Sequence, residues 1–335
     1  MRRAPGDDDT VTLRSLSALP ALILGLSISV TWAQQPSGVP VVGFITTAII
    51  RPDDPLVDVF RAGLRDLGYV EGQNIGIEFR SAQGHVDRLP ILAQELVQLK
   101  VNAIIVGTEP ALRAAKQVTS TIPIVAISFD YDPVVSGLIG SYNRPDANVT
   151  GIYTRQPELI GKRLELLKEA LPGLSRVAVF WDSFGERQLE EVKRAAHALH
   201  IELEPVQLDK PYDYKAAFKT AKRKRAGAVL LVYSGAFYAE RTRIAEQALE
   251  ERMPTMSWLK QLTEAGGLIS YGPDARESYR RIAYFVDRLL KGDKPSDLPL
   301  EQSTQFRLIV NLKTAKALGL TIPESIMVRA DEVIR

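Results

Sequence analysis

Residues Ile122 to Gly151 read IPIVAISFDYDPVVSGLIGSYNRPDANVTG. Ile122, Ile124, Val125, Ala126 and Ile127 make a short apolar run with a β-branched bias, the pattern of a parallel strand covered on both faces. Polar chemistry begins where the run stops, with Ser128, Asp130, Tyr131, Asp132 and Pro133. In an open α/β sheet the carboxyl ends of strands face the ligand crevice, so binding residues should gather there. Turn formers from Asn143 to Asn148 follow, and after Gly151 a fresh series of α/β units begins. The stretch reads as the end of one lobe, a cleft edge and the crossing to a second lobe.

The same rhythm holds on both sides of it. Upstream, apolar runs ending near Ile45, Phe79 and Val106 alternate with helical patterns that start near Pro55, Arg88 and Pro110. Downstream, runs ending near Trp181, Leu208, Tyr233, Trp258 and Tyr271 alternate with helical patterns, among them one predicted over Tyr238 to Arg252 and a long one from Asp274 to Leu290. Strands separated by helices of this kind predict right-handed βαβ crossovers and mainly parallel sheets. The expected fold class is α/β, two Rossmann-like lobes. Residues 37–150 with about 274–300 form the first lobe, and residues 151–273 with about 301–335 the second. Three connecting segments, near Asn148–Tyr153, Ser270–Asp274 and Leu300–Thr304, would then make a multi-segment hinge.

The chain has 335 residues, enough for two such domains, and its 45% hydrophobic and 24% charged content is that of a soluble globular protein. The formal net charge of +2 argues against binding nucleic acid through bulk charge. The absence of Cys excludes disulfides, thiolate metal sites and thiol catalysis. Residues 1–33 read as a signal peptide: Arg2, Arg3 and Arg14 supply positive charge, Leu16 to Val30 is apolar, and Thr31-Trp32-Ala33 offers small residues at −3 and −1. The apolar stretch is shorter than the roughly 20 residues of a membrane span. Asp7, Asp8 and Asp9 are unusual in such a leader, and a start codon placed too early accounts for them.

A search for chemistry is mostly negative. His197 and His200 stand three apart at a helix end with no third ligand pattern beside them, and a cation at a helix C-terminus is ordinary. No phosphate loop, no GxGxxG after the first strand and no nucleophile elbow is present, so no metal, cofactor or catalytic residue is expected. What recurs is a ring of polar and aromatic residues at strand ends. It comprises Thr46 and Thr47; Thr108, Glu109 and Pro110; Ser128, Asp130, Tyr131 and Asp132; Trp181, Asp182 and Ser183; Tyr233, Ser234 and Phe237; Trp258; and Tyr271. Taken singly, each residue is common in loops or cores. Their recurrence in both lobes points to a ligand-binding cleft. Thr108 or Glu109 also stands at the N-cap of the helix that Pro110 opens, where free N–H groups suit a ligand carboxylate.

The chain resembles the ABC transporter substrate-binding proteins of the tryptophan/tyrosine-transport type, which have the type 1 periplasmic binding protein fold. Segments that carry the resemblance include FRAGLRDLGYVEGQNIGIEFR (60–80), DPVVSGLI (132–139), GKRLELLKEALPGLSRVAVFWD (161–182) and YFVDRLLKGDKPSDLPLEQSTQFRLIVNLKTAKALGLTIPESIMVRADEVI (284–334), and they run almost end to end. The resemblance implies a periplasmic receptor, expected as a monomer, whose lobes close on a small-molecule solute and deliver it to an ABC permease in the inner membrane. An aromatic amino acid or a related small molecule is the implied solute. Members commonly carry a small hydroxyl residue where this chain has Glu109, and a carboxylate there would disfavour a ligand carboxylate. A secreted α/β enzyme is the alternative, needing a base that the sequence does not advertise. A sugar-sensing regulator on the same fold would need a DNA-binding helix pair where the leader stands.

Overall fold

From Val41 onward the strands pair in an order that creates a gap. A computed structural model describes residues 38–47, 52–129, 131–145, 148–154, 156–183 and 185–335. The predicted signal peptide lies outside the described residues. In chain order the strands are β1 (Val41–Thr46), β2 (Gly76–Ser81), β3 (Ala103–Val106), β4 (Ile124–Ser128) and β5 (Val149–Tyr153). There follow β6 (Arg176–Trp181), β7 (Glu202–Gln207), β8 (Ala228–Leu231), β9 (Thr255–Ser257) and β10 (Ile269–Pro273), then β11 (Glu301–Gln302), β12 (Phe306–Asn311) and β13 (Glu332–Ile334).

The first sheet has the order β11-β5-β4-β3-β1-β2 and is parallel throughout. The second has the order β13-β12-β10-β9-β8-β6-β7, parallel except where β12 runs against β10. In each sheet the opening strand sits between the next two strands of its lobe. The chains leaving β1 and β3, and those leaving β6 and β8, therefore turn to opposite faces. The carboxyl ends at such a switch point splay apart and form a crevice.

Burial follows from the strand sequences. Ala103 to Val106 and Ala228 to Leu231 are buried at every position, as central parallel strands require. Helices cover both faces of the first sheet. The helix Pro55–Asp66 is capped by Asp54, whose carboxylate accepts from Leu56 N at 2.9 Å, and it packs along the helix Ala275–Leu290. A Cβ at Gly63 would lie 2.9 Å from Ala283 Cβ, so glycine is what lets the two helices approach. The long helix thus returns to the first lobe although it follows a strand of the second.

The chain crosses between sheets three times: after Tyr153, between Pro273 and Ala275, and after Gln302. The crossings lie side by side, with Ser303 N donating to Tyr153 O at 2.8 Å and Asp274 N to Gln305 O at 2.9 Å. Two sequence expectations are corrected here. Residues 149–153, read as a crossing, form a buried strand of the first sheet, and residues 301–302 pair beside it. The helix expected over Tyr238 to Arg252 is two helices, Gly235–Ala239 and Arg241–Glu250, because Ser234 caps an earlier start and Glu240 leaves the helical conformation between them.

Gly151 explains why β5 can lie where it does. Its φ is +135°, a conformation open to glycine, and a Cβ would fall 2.1 Å from Ala126 O on the neighbouring strand. Gly151→Val should lower stability by about 2 kcal/mol or more through backbone strain and overpacking. Urea unfolding that leaves the midpoint unmoved would show that the strand tolerates a side chain there.

Candidate functional site

The ends of the strands meet where the lobes face each other. A cavity there is lined from the first lobe by Thr46, Gly107, Thr108, Ile127 and Phe129, with Leu56, Ala275 and Tyr279 from its helices. The second lobe contributes Tyr233, Gly235, Tyr238, Trp258 and Leu259. The wall is largely apolar. Phe129 reaches across from β4, its ring centre 6.3 Å from that of Tyr233 and 6.4 Å from that of Trp258. Tyr233 and Trp258 lie 4.3 Å apart. The three rings fill most of the gap, and the remaining cavity volume is about 40 Å³, room for a few waters.

One polar group faces this wall from a helix end. Thr108 is the N-cap of the helix Glu109–Val118, its side chain makes no cap bond, and its buried hydroxyl has no hydrogen-bond partner among the described residues. Pro110 has no N–H, leaving those of Glu109 and Ala111 in the first turn, where the helix dipole favours an acceptor or anion. Ser128 at the end of β4 is likewise buried with an unpartnered hydroxyl. Desolvated hydroxyls of this kind cost stability unless something satisfies them.

A second layer fixes the aromatic wall. Gln188, 4% exposed, accepts from Tyr233 N at 2.8 Å and donates to Tyr233 O at 3.1 Å. Ser234 donates to the buried Asp182 carboxylate and accepts from Ala236 N at 3.1 Å, tying the ends of β6 and β8 together. Arg163 is fully buried behind the crossings, where its Nε donates to Tyr271 O at 2.7 Å. Burial pushes its pKa down to about 9, with the nearby Tyr271 opposing.

Polar ties also span the lobes. Tyr238 donates to both Asp54 oxygens at 2.8 Å, and burial, then the Asp54 charge, hold its phenol above the usual range and so protonated. Arg187 donates to Ser136 Oγ at 2.9 Å, and Lys210 to Gln83 O at 2.5 Å.

Of the sequence candidates, Thr46, Thr108, Tyr233 and Trp258 line the cavity. Thr47, Ser128, Tyr131, Asp182 and Ser234 are buried close behind the strand ends, and Phe237 is a core residue packed on Tyr214. Glu109 and Pro110 begin the helix, and the Glu109 carboxylate is taken up by Arg113 at 2.6 Å and by Arg187 at 3.9 Å. Asp132 caps its own turn, accepting from Val134 N and Val135 N and from Tyr142 OH at 2.5 Å. Trp181 packs on the core of the second lobe, Tyr271 stacks near Phe306, and Ser183 is exposed. Asp130 lies outside the described residues.

Sequence reasoning missed Phe129, Leu56, Tyr238, Leu259 and Tyr279. Phe129 stands directly after the apolar run, as the first aromatic past the strand end, and that position was the available signal. The others come from helix starts and loops that only the packing of lobe on lobe brings to the cavity.

Two α/β lobes joined by three crossings, with an aromatic crevice at facing switch points, define a two-lobed solute-binding protein. The model of the ABC transporter substrate binding protein family matches residues 51–334, and the chain belongs to that family. A tyrosine-binding protein of Clostridioides difficile is 25% identical over 267 residues, spanning 78% of this chain and 75% of that protein. Among solved structures, a conserved domain protein of Vibrio cholerae superposes with a TM-score of 0.79 at 24% identity, covering 88% of this chain and 99% of that one. An ABC domain from Streptococcus pneumoniae in complex with L-Trp superposes with a TM-score of 0.75 at 22% identity, covering 88% and 100%. The fold is that of the type 1 periplasmic binding proteins, and the chain is the solute-binding receptor of an ABC importer.

Gln188→Ala would remove its hydrogen bonds to two part-buried backbone groups of Tyr233. The expected cost is about 2–4 kcal/mol in chemical denaturation; a variant as stable as the parent would show that Gln188 is dispensable there.

Proposed function

We propose that this receptor is exported through a cleaved signal peptide to the periplasm. There, as a monomer without catalytic activity, it closes on a small aromatic solute and presents it to an inner-membrane permease. The observation that carries the reading is Phe129 of one lobe facing Tyr233 and Trp258 of the other, beside the unpartnered Thr108 hydroxyl at a helix N-terminus. A planar ring entering between Phe129 and the Tyr233–Trp258 pair would exchange ring contacts across the crevice for contacts with the solute. The polar head would meet Thr108 and the N–H groups of its helix. The tyrosine-binding relative and the L-Trp complex of a structural neighbour support an aromatic amino acid as this solute.

Closure would pivot on the three side-by-side crossings. A ligand that contacts both lobes stabilises the closed state by its differential affinity and by nothing else. Nucleic acid plays no part in this reading.

Calorimetry with L-tyrosine and L-tryptophan tests it. Trp258→Ala and Phe129→Ala should each weaken binding about ten-fold or more, the loss of one buried aromatic contact at roughly 1.4 kcal/mol per factor of ten. Affinities unchanged in both variants would remove the aromatic-solute reading, and no binding of either amino acid would remove the free amino acid as its solute.

Tyr238→Phe deletes the tie to Asp54, a hydrogen bond to a charged group worth about 1.5–3 kcal/mol. Small-angle scattering of the unliganded variant should show a larger radius of gyration than the parent. Identical scattering curves would mean that this bond does not hold the lobes together.

A further inference from the structure

The aromatic cavity is not the end of the crevice. Past Trp258 and Leu259, which wall both spaces, lies a second chamber with a cavity volume of about 460 Å³. That falls in the range of small-molecule sites, roughly 300–1,000 Å³, whereas the aromatic cavity is about 40 Å³.

Its floor is the face of β10 and β12 that carries Ser270, Gly272 and Arg307. Ile269, Tyr271, Leu308 and Val310 alternate to the other face and enter the second-lobe core. Ser270 is 1% exposed, and its hydroxyl has no partner among the described residues although it borders open space. A Cβ at Gly272 would lie 2.1 Å from Trp258 O, so glycine lets the Trp258 backbone lie on the strand and stand as the partition between the two spaces.

The charges are balanced but unevenly paired. Four carboxylates line the chamber, and two cations hold all of them. Lys260 sits 2.6 Å from Glu332 and 3.4 Å from Glu264, and Arg307 sits 3.8 Å from Asp274 and 3.9 Å from Asp331. Arg241 from the second lobe and Arg276 from the first line the same chamber, and neither has a carboxylate within 4.0 Å among the described residues. Arg241 donates to Tyr238 O and lies 4.8 Å over its ring, while Arg276 is exposed.

A chamber with both signs of charge, two guanidiniums free to take a carboxylate, and a buried hydroxyl lacking a partner suits a zwitterion with amide groups. It is larger than the head of one amino acid needs. We infer that the solute is a short peptide bearing one aromatic side chain, its ring in the aromatic cavity and its backbone in the outer chamber, with the terminal carboxylate between Arg241 and Arg276. The inference rests on reading the inner cavity as an aromatic-solute site.

Calorimetry on the mature protein with L-tyrosine, L-tryptophan, alanyl-tyrosine and tyrosyl-alanine decides it. At least one dipeptide should bind about ten-fold more tightly than either amino acid, and Arg276→Gln should cancel about that gain while leaving amino-acid affinity unchanged. Arg276 touches nothing in the inner cavity, so a loss confined to the dipeptide reports the chamber. Free amino acids binding as tightly as the dipeptides would overturn the inference and leave the aromatic-solute reading intact. A dipeptide preference that Arg276→Gln does not reduce would overturn the placement in the chamber. Failure of all four compounds to bind would overturn both readings.

Discussion

The placement of β1 between β2 and β3, and of β6 between β7 and β8, is the constraint on which the rest depends. Because each following connection is right-handed, a chain that moves first to one side and then to the other must cover opposite faces of the sheet. No helix then bridges the carboxyl ends at the reversal, and the gap exposes backbone N–H groups and the first side chains past each strand. Thr46 and Thr108 reach the crevice from one reversal, and Tyr233 from the other. Facing two such gaps toward each other produces a site without any residue being specialised for shape. The specialised part is what fills it.

That filling is aromatic, and the balance it sets is delicate. Phe129 packs against Tyr233 and Trp258 across the crevice, and one buried apolar cluster runs continuously from the first lobe into the second. On the proposed reading, a solute entering between the rings would replace ring–ring contacts with ring–solute contacts of similar kind, so its net gain would be far smaller than the area it buries suggests. Selectivity must come from groups left unsatisfied without it. The hydroxyl of Thr108 is such a group, desolvated where it lines the cavity. The ties from Tyr238, Arg187 and Lys210 also join the lobes, and Tyr238 lines the cavity itself.

Most of the fold was legible because it is written in short-range signals. The run Ile124–Ile127, the proline at the start of the helix after β3 and the sharp change to polar residues past Ile127 are local facts. The observed β6 ends at Trp181, where the apolar run stops, and the long helix runs Ala275–Leu290 with Asp274 as its cap, as its pattern from Asp274 to Leu290 predicts. What was misread depends on distant partners. Val149–Tyr153 looks like a linker because it follows the turn formers Asn143 to Asn148 and is interrupted by Gly151, yet Ala126 leaves room for nothing larger than glycine and Thr150 Oγ1 donates to Leu298 O at 2.7 Å. Such a strand is specified by its neighbours. The site was legible only in part for the same reason. Strand-end positions can be listed from sequence, but their side chains can point into the crevice, into the turn or into the core. Asp132, Glu109 and Phe237 took the second and third of these courses.

The disposition of charge in the crevice follows from the cost of burying it. A lone carboxylate among Phe129, Trp258 and Tyr279 would carry a desolvation penalty of several kcal/mol. Among the described residues the acids near the mouth are accordingly paired: Glu109 with Arg113 and Arg187, and Asp54 with its helix N–H and Tyr238. The Glu109 carboxylate, which in isolation would repel an anionic head, is thereby turned toward the rim and partly neutralised, and the helix it begins keeps its dipole and its Thr108 hydroxyl for the cavity. Neutral donors at a helix N-terminus can hold a carboxylate without a buried counter-charge. An interior that contains dipoles and hydroxyls, with full charges kept to its edges, can accept a polar head and release it again. An ion pair buried within the inner cavity would let go more slowly, a poor property for a receptor that must hand its cargo on, whereas Arg241 and Arg276 stand outside that cavity, in the outer chamber.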